Sequence, residues 1–128
     1  MKKILFILIC LLMLTGCEEE VKEENKKPAQ VNKITCSDVN TIVSEEGAIV
    51  VDVRTSEEYN TDHIENAINI NSETIKYTVK GKIKDLDTPI IVYCQSGRRS
   101  AESAKILTEL GYTKVYDMGG ITACYGEE

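Results

Sequence analysis

Cys94 closes the apolar run PIIVYC and is followed by QSGRR, then by the amphipathic stretch SAESAKIL. A strand that delivers a thiol into the turn before a helix exposes it to backbone N–H groups, and such a nest favours negative charge. It should therefore favour the thiolate, the nucleophilic form of cysteine; in comparable electropositive settings the cysteine pKa falls from about 8.5 to roughly 3.5–7.5. Gly97 supplies the freedom for a tight turn. Arg98 and Arg99 carry planar guanidinium groups able to hold an oxyanion through paired hydrogen bonds. These residue types point to attack by Cys94 on an anionic substrate, with no histidine base required.

Strands and helices alternate around this loop. AIVVDV (Ala48 to Val53) and PIIVYC (Pro89 to Cys94) are almost continuously apolar and β-branched, as strands buried on both faces are. AINI (Ala67 to Ile70) and KVYDM (Lys114 to Met118) are further strands. SEEYNTDHI reads as a helix capped by Thr55 or Ser56 with acids in its first turn, and SETIKYTVK as a weak one. Ala101, Ala104, Leu107 and Leu110 recur near the helical period from Ser100 to Leu110, where Gly111 ends the helix. The fold class is α/β, a mostly parallel central sheet flanked by helices on both faces. Ligands bind at the carboxyl ends of the strands in such sheets, and Cys94 lies at one of those ends.

The first residues read as a targeting segment. Lys2 and Lys3 precede an apolar run from Ile4 to Leu14, too short to span a bilayer, which needs roughly 20 residues. Residues 1–16 are read as a cleavable export signal. The closing Leu14-Thr15-Gly16-Cys17 resembles the lipobox of bacterial lipoproteins, which implies lipidation of Cys17 and anchoring on the outer side of the cytoplasmic membrane or the periplasmic face of an envelope membrane. Residues 17–31, charged and carrying Pro28, form a tether, and 32–128 the domain. The whole chain has 15 basic and 21 acidic side chains; losing Lys2 and Lys3 leaves 13 against 21, a net charge of −8. That balance argues against nucleic acid as a partner, and leaves the lipid to do the anchoring.

Cys10 leaves with the signal, so Cys36, Cys94 and Cys124 remain beside Cys17. Three is odd, so at least one is free or pairs with another molecule. With no Cys-x-x-Cys and His63 the single histidine, neither a metal nor a cofactor is expected.

Three stretches, VDVRTSEEYNTDHIENAINI, YCQSGRRSA and DMGGITA, resemble the single-domain rhodaneses, sulfurtransferases of the thiosulfate:cyanide type. The resemblance covers the chain from about Lys33 to its end and implies the rhodanese-like fold. By that resemblance Cys94 is the catalytic nucleophile and persulfide carrier, Gln95, Ser96, Gly97, Arg98, Arg99 and Ser100 form its cradle, and the arginines attract an anionic sulfur donor. The acceptor would be a thiol or cyanide-like nucleophile. One arginine faces the pocket and the other is left to pair with Asp52. Phosphatases of related fold resemble Cys-x5-Arg, whereas here Ser100 holds the sixth position, and the tighter ring favours sulfur over phosphate. The competing readings are a cysteine phosphatase or arsenate reductase and a non-catalytic sulfur-carrier or binding module.

Some positions depart from the family pattern. Asp62 replaces a common glycine before His63, which is expected to pack or cap rather than act as a base. Asn66 replaces another glycine at a turn where asparagine tolerates the left-handed conformation. Arg54 is expected to pair with Glu57 or Glu58 across the next turn. Cys124, where relatives often carry tryptophan, is expected to fill the core, with resolution of a Cys94 persulfide as the alternative; Cys36 is expected to be buried and inert.

Overall fold

The β-branched runs form the inner strands of a five-stranded sheet. In the computed structural model, which describes residues 29–125, β1 (Val31–Lys33), β2 (Ile49–Asp52), β3 (Ile68–Asn69), β4 (Ile90–Cys94) and β5 (Val115–Gly120) pair in the order β1-β5-β4-β2-β3. Every pairing is parallel. Four helices, α1 (Val39–Glu46), α2 (Ser56–Thr61), α3 (Ile75–Lys82) and α4 (Arg98–Glu109), and two 3-10 turns, Cys36–Asp38 and Ile121–Cys124, connect and cover the strands.

Side chains along β4 point alternately to the two faces. Ile90, Val92 and Cys94 join one buried cluster with Ile75 and Val79 of α3 and Ala104 and Leu107 of α4. Ile91 and Tyr93 join a second with Val39, Met118 and Ile121, against which Ile42 of α1 and Tyr59 of α2 pack. Both faces are dry, so the strand reads as an unbroken apolar run.

Strand order also explains where the chemistry sits. The chain steps from β1 to β2 to β3 in one direction and returns through β4 to β5. Crossovers of one hand then place the helices of the outward leg on one face and those of the return leg on the other. The chain leaving β2 turns to α2 and the chain leaving its neighbour β4 turns to α4, on opposite faces, which opens a crevice between their carboxyl ends.

The structure adds two elements absent from the sequence reading, β1 and α1. β1 begins at Val31, the last residue assigned to the tether. The residues expected to form the export segment, Cys17 and the rest of the expected tether up to residue 28 lie outside the described residues; among the described residues no helix is long and apolar enough to cross a membrane. α4 begins at Arg98, two residues before the expected Ser100. Gly111 (φ 102°) follows its last turn as anticipated, and the Tyr112 amide donates to the Leu107 carbonyl there.

The cysteine expectations are corrected. Cys36 and Cys124 form a disulfide with a Cα–Cα distance of 5.5 Å, so Cys124 is neither a free core filler nor a partner of Cys94, and Cys36 is half-buried and bonded rather than a buried free thiol. Parallel pairing of β1 with β5 brings the turns that follow them together, which makes the bond possible. Its partners are 88 residues apart; in the chain-entropy account, closing a loop that long removes about 4–5 kcal/mol of unfolded-state freedom.

Candidate active site

β4 delivers Cys94 to the crevice with its side chain fully buried. The chain then doubles back over it. Gly97, at φ 104°, takes a conformation that is costly for any residue with a Cβ, and its amide donates to Cys94 Sγ at 3.0 Å. Gly97 is also the N-cap of α4, so the sulfur lies beside a helix start whose first amides lack intrahelical partners. Ser100 Oγ donates to the Gly97 carbonyl at 3.0 Å and is buried, bracing the first helical turn against the loop.

The loop rests on a strand end cut to receive it. β5 carries an irregularity opposite Val92 and Tyr93, after which Cys94 aligns with Gly120. Gly119 turns at φ 83°, its amide bonded to Asp117 Oδ1. A Cβ on Gly120 would lie 2.6 Å from the Gln95 carbonyl oxygen and 3.0 Å from the Ser96 backbone. Thr122 Oγ1 donates to the same Gln95 carbonyl at 3.3 Å. The DMGGITA stretch thus forms the floor under the loop.

The two arginines separate because they are successive residues of a helix. Arg98 points to solvent and, among the described residues, pairs with Glu102 one turn on, at 3.5 Å. Arg99 reaches across the crevice to Glu58 of α2, its Nη1 and Nη2 donating to the two carboxylate oxygens at 2.8 and 3.0 Å. Bidentate geometry of this kind is the stronger form of ion pair. The Arg99 guanidinium, followed by the Thr55 amide, holds the Glu58 carboxyl at about 2. Glu58 also completes a capping box with Thr55, so one carboxylate fixes both the start of α2 and the arginine facing the loop.

Neither arginine pairs with Asp52, which corrects that expectation. Asp52 is engaged by Arg54, whose Nε and Nη2 donate to its carboxylate at 3.1 and 2.8 Å. Arg54 was expected to reach Glu57 or Glu58; instead it turns back, because residues two apart in extended chain share a face. Both side chains are buried. Arg54 Nη2 also donates to the Asp62 carbonyl at 2.6 Å and Nη1 to Gln95 Oε1 at 3.2 Å. Tyr93 completes the group: its hydroxyl donates to Asp52 Oδ2 at 2.8 Å and accepts from the Ile64 amide. Burial drives the Tyr93 phenol upward, so it stays a donor, while the Asp52 hydrogen bond raises the Arg54 guanidinium further.

His63 caps as expected, its Nδ1 2.8 Å from the Tyr59 carbonyl and its ring stacked on Tyr59. Asn66 adopts φ 65°.

The rhodanese-like domain model matches residues 35–127. The chain belongs to the rhodanese-like family. Among its relatives, the thiosulfate sulfurtransferase PspE of Escherichia coli K12 is 38% identical over 71 residues, 56% of this chain and 68% of the relative. The thiosulfate sulfurtransferase GlpE of Shewanella oneidensis is 35% identical over the same shares. A solved structure described as a rhodanese with anions from Escherichia coli is 36% identical, covers 59% of this chain and 89% of its own, and superposes with a TM-score of 0.57.

Within the rhodanese fold the structure brings together Cys94, Gln95, Ser96, Gly97, Arg99 and Ser100, and turns Arg98 outward. Sequence reasoning missed Arg54 and Tyr93 as supports of the loop. The signal was available in the Asp-x-Arg spacing of DVR, two polar side chains on one face of a strand end.

Proposed function

We propose that this rhodanese-like protein is a sulfurtransferase that carries sulfane sulfur on Cys94. The observation that carries the reading is the Gly97 amide aimed at a fully buried Cys94 Sγ, because an N–H dipole at the sulfur stabilises negative charge on it in a medium with little solvent screening. The Cys94 thiolate attacks the outer sulfur of thiosulfate, the S–S bond breaks, and sulfite leaves with the bonding pair. The resulting Cys94 persulfide is then attacked at its terminal sulfur by a thiol or cyanide-like acceptor, which departs with that sulfur and returns the thiolate. No net oxidation occurs and no cofactor is needed. Arg99, fixed by Glu58 at the loop, draws the anionic donor in; persulfide-type donors fit the same scheme. Export and lipidation at Cys17 would place this activity outside the cytoplasmic membrane.

Treating the purified protein with thiosulfate, removing the excess and mapping peptides by mass spectrometry should locate one added sulfur atom on Cys94. Addition at Cys36 or Cys124, or nowhere, would refute the assignment. The loop floor gives a second expectation. An alanine at Gly120 meets backbone atoms that cannot swing aside, so Gly120→Ala must displace the loop, at a cost of about 1–3 kcal/mol in denaturant unfolding. Thiosulfate turnover should fall by roughly 10²-fold, since displacing reacting groups by about 1 Å costs that much.

A further inference from the structure

The Cys36–Cys124 disulfide is more than a staple by position. Thr35, Ser37, Met118 and Ala123 surround both cysteines in an open cleft of about 500 Å³, and both residues are half-buried rather than sealed. Cys124 ends the 3-10 turn Ile121–Cys124, which starts directly after Gly120. From this turn Thr122 holds the Gln95 carbonyl, and beyond it Tyr125 donates to Asp62 Oδ2 at 2.9 Å. The turn is therefore a strap across the carboxyl end of the sheet, in contact with the loop over Cys94 and tied down at Cys36.

Cys94 itself is fully covered. Any reagent reaching its sulfur needs the loop to lift, and lifting breaks the Gly97 N–H···Sγ contact. We propose that the Cys36–Cys124 pair is a second redox site, reducible by a dithiol that enters through the cleft, and that its state sets how readily the loop over Cys94 opens. Reduction proceeds by thiol–disulfide exchange. One thiolate of the reductant attacks a disulfide sulfur and releases one cysteine thiolate. The second reductant thiol then displaces the other cysteine. Two electrons pass to the protein, Cys36 and Cys124 end as thiols with the protons of the reductant, and the reductant leaves as its cyclic disulfide. The strap, no longer bonded to Cys36, is then held by non-covalent contacts, among them the buried Ile121, the Thr122 contact and the Tyr125 contact. Local openings of this sort govern access without global unfolding.

The coupling stands apart from what Cys94 does chemically, so it is read without a sulfur donor, and thiosulfate enters as a separate measurement. In the full chain with and without dithiothreitol, amide exchange at Gly97 and alkylation of Cys94 by iodoacetamide, mapped by peptide, should both accelerate by roughly tenfold or more. The two factors should agree, because one opening exposes both groups, while amides of α3 keep their protection. Thr122→Val, with the disulfide intact, should accelerate the same two processes without reductant, which keeps the idea testable if the reduced protein unfolds. Unchanged rates on reduction, unequal factors, or loss of protection spread evenly over the whole sheet would overturn it. Accelerated alkylation with no sulfur acquired from thiosulfate in either redox state would support the coupling and count against the sulfur-transfer reading alone.

Discussion

Cys94→Ser should fold and lose sulfur transfer almost completely, by roughly 10⁴-fold or more, the scale seen when a covalent nucleophile is removed. Serine keeps the shape and gives the Gly97 amide an oxygen to donate to, so the loop, the α4 N-terminus and the Arg99–Glu58 pair should persist. A hydroxyl, however, neither ionises near neutral pH nor forms a persulfide. The expected result is an unfolding transition within about 2 kcal/mol of wild type, the cost of one altered buried polar group, alongside thiosulfate turnover at background. Retained turnover in this variant would show that sulfur moves by another route.

What the sequence revealed and what it hid follow from range. β2, β4 and β5 were legible because strands buried on both faces carry their signal in a few consecutive residues. The loop was legible for the same reason, its cysteine, glycine and arginines lying within six positions. α1 was not: Val39, Thr41, Ile42 and Val43 are β-branched and favour a helix poorly. It forms because Val39 and Ile42 pack onto Ile91 and Tyr93 of the sheet. β1 has three residues, mostly exposed, and exists only through β5, more than eighty positions away. The disulfide depends on that same pairing, so no local pattern could announce it. Arg54 misled for the opposite reason. The acids nearest along the chain, Glu57 and Glu58, looked like its partners, but Glu58 is occupied by Thr55 and Arg99, and the carboxylate that fits Arg54 stands two residues behind it.

That buried pair sets the largest stability effect. Arg54→Ala should cost about 3–5 kcal/mol, because it strands Asp52 as a buried charge rather than merely deleting a contact. Tyr93 and the residue 54 amide still donate to Asp52, but neither neutralises it. The Asp62 carbonyl and the Gln95 side chain lose their donor as well, which frees one side of the loop over Cys94. In a domain of about 100 residues, where each kcal/mol moves the midpoint by roughly 4–8 °C, the melting temperature should fall by at least ~12 °C. The cause can be separated from simple loss of packing by adding Asp52→Asn to Arg54→Ala. If the unpaired charge dominates, the double variant is more stable than Arg54→Ala alone, since a neutral amide can stay buried with Tyr93 as its donor. If packing dominates, the second change adds its own cost and the double variant is the weaker of the two.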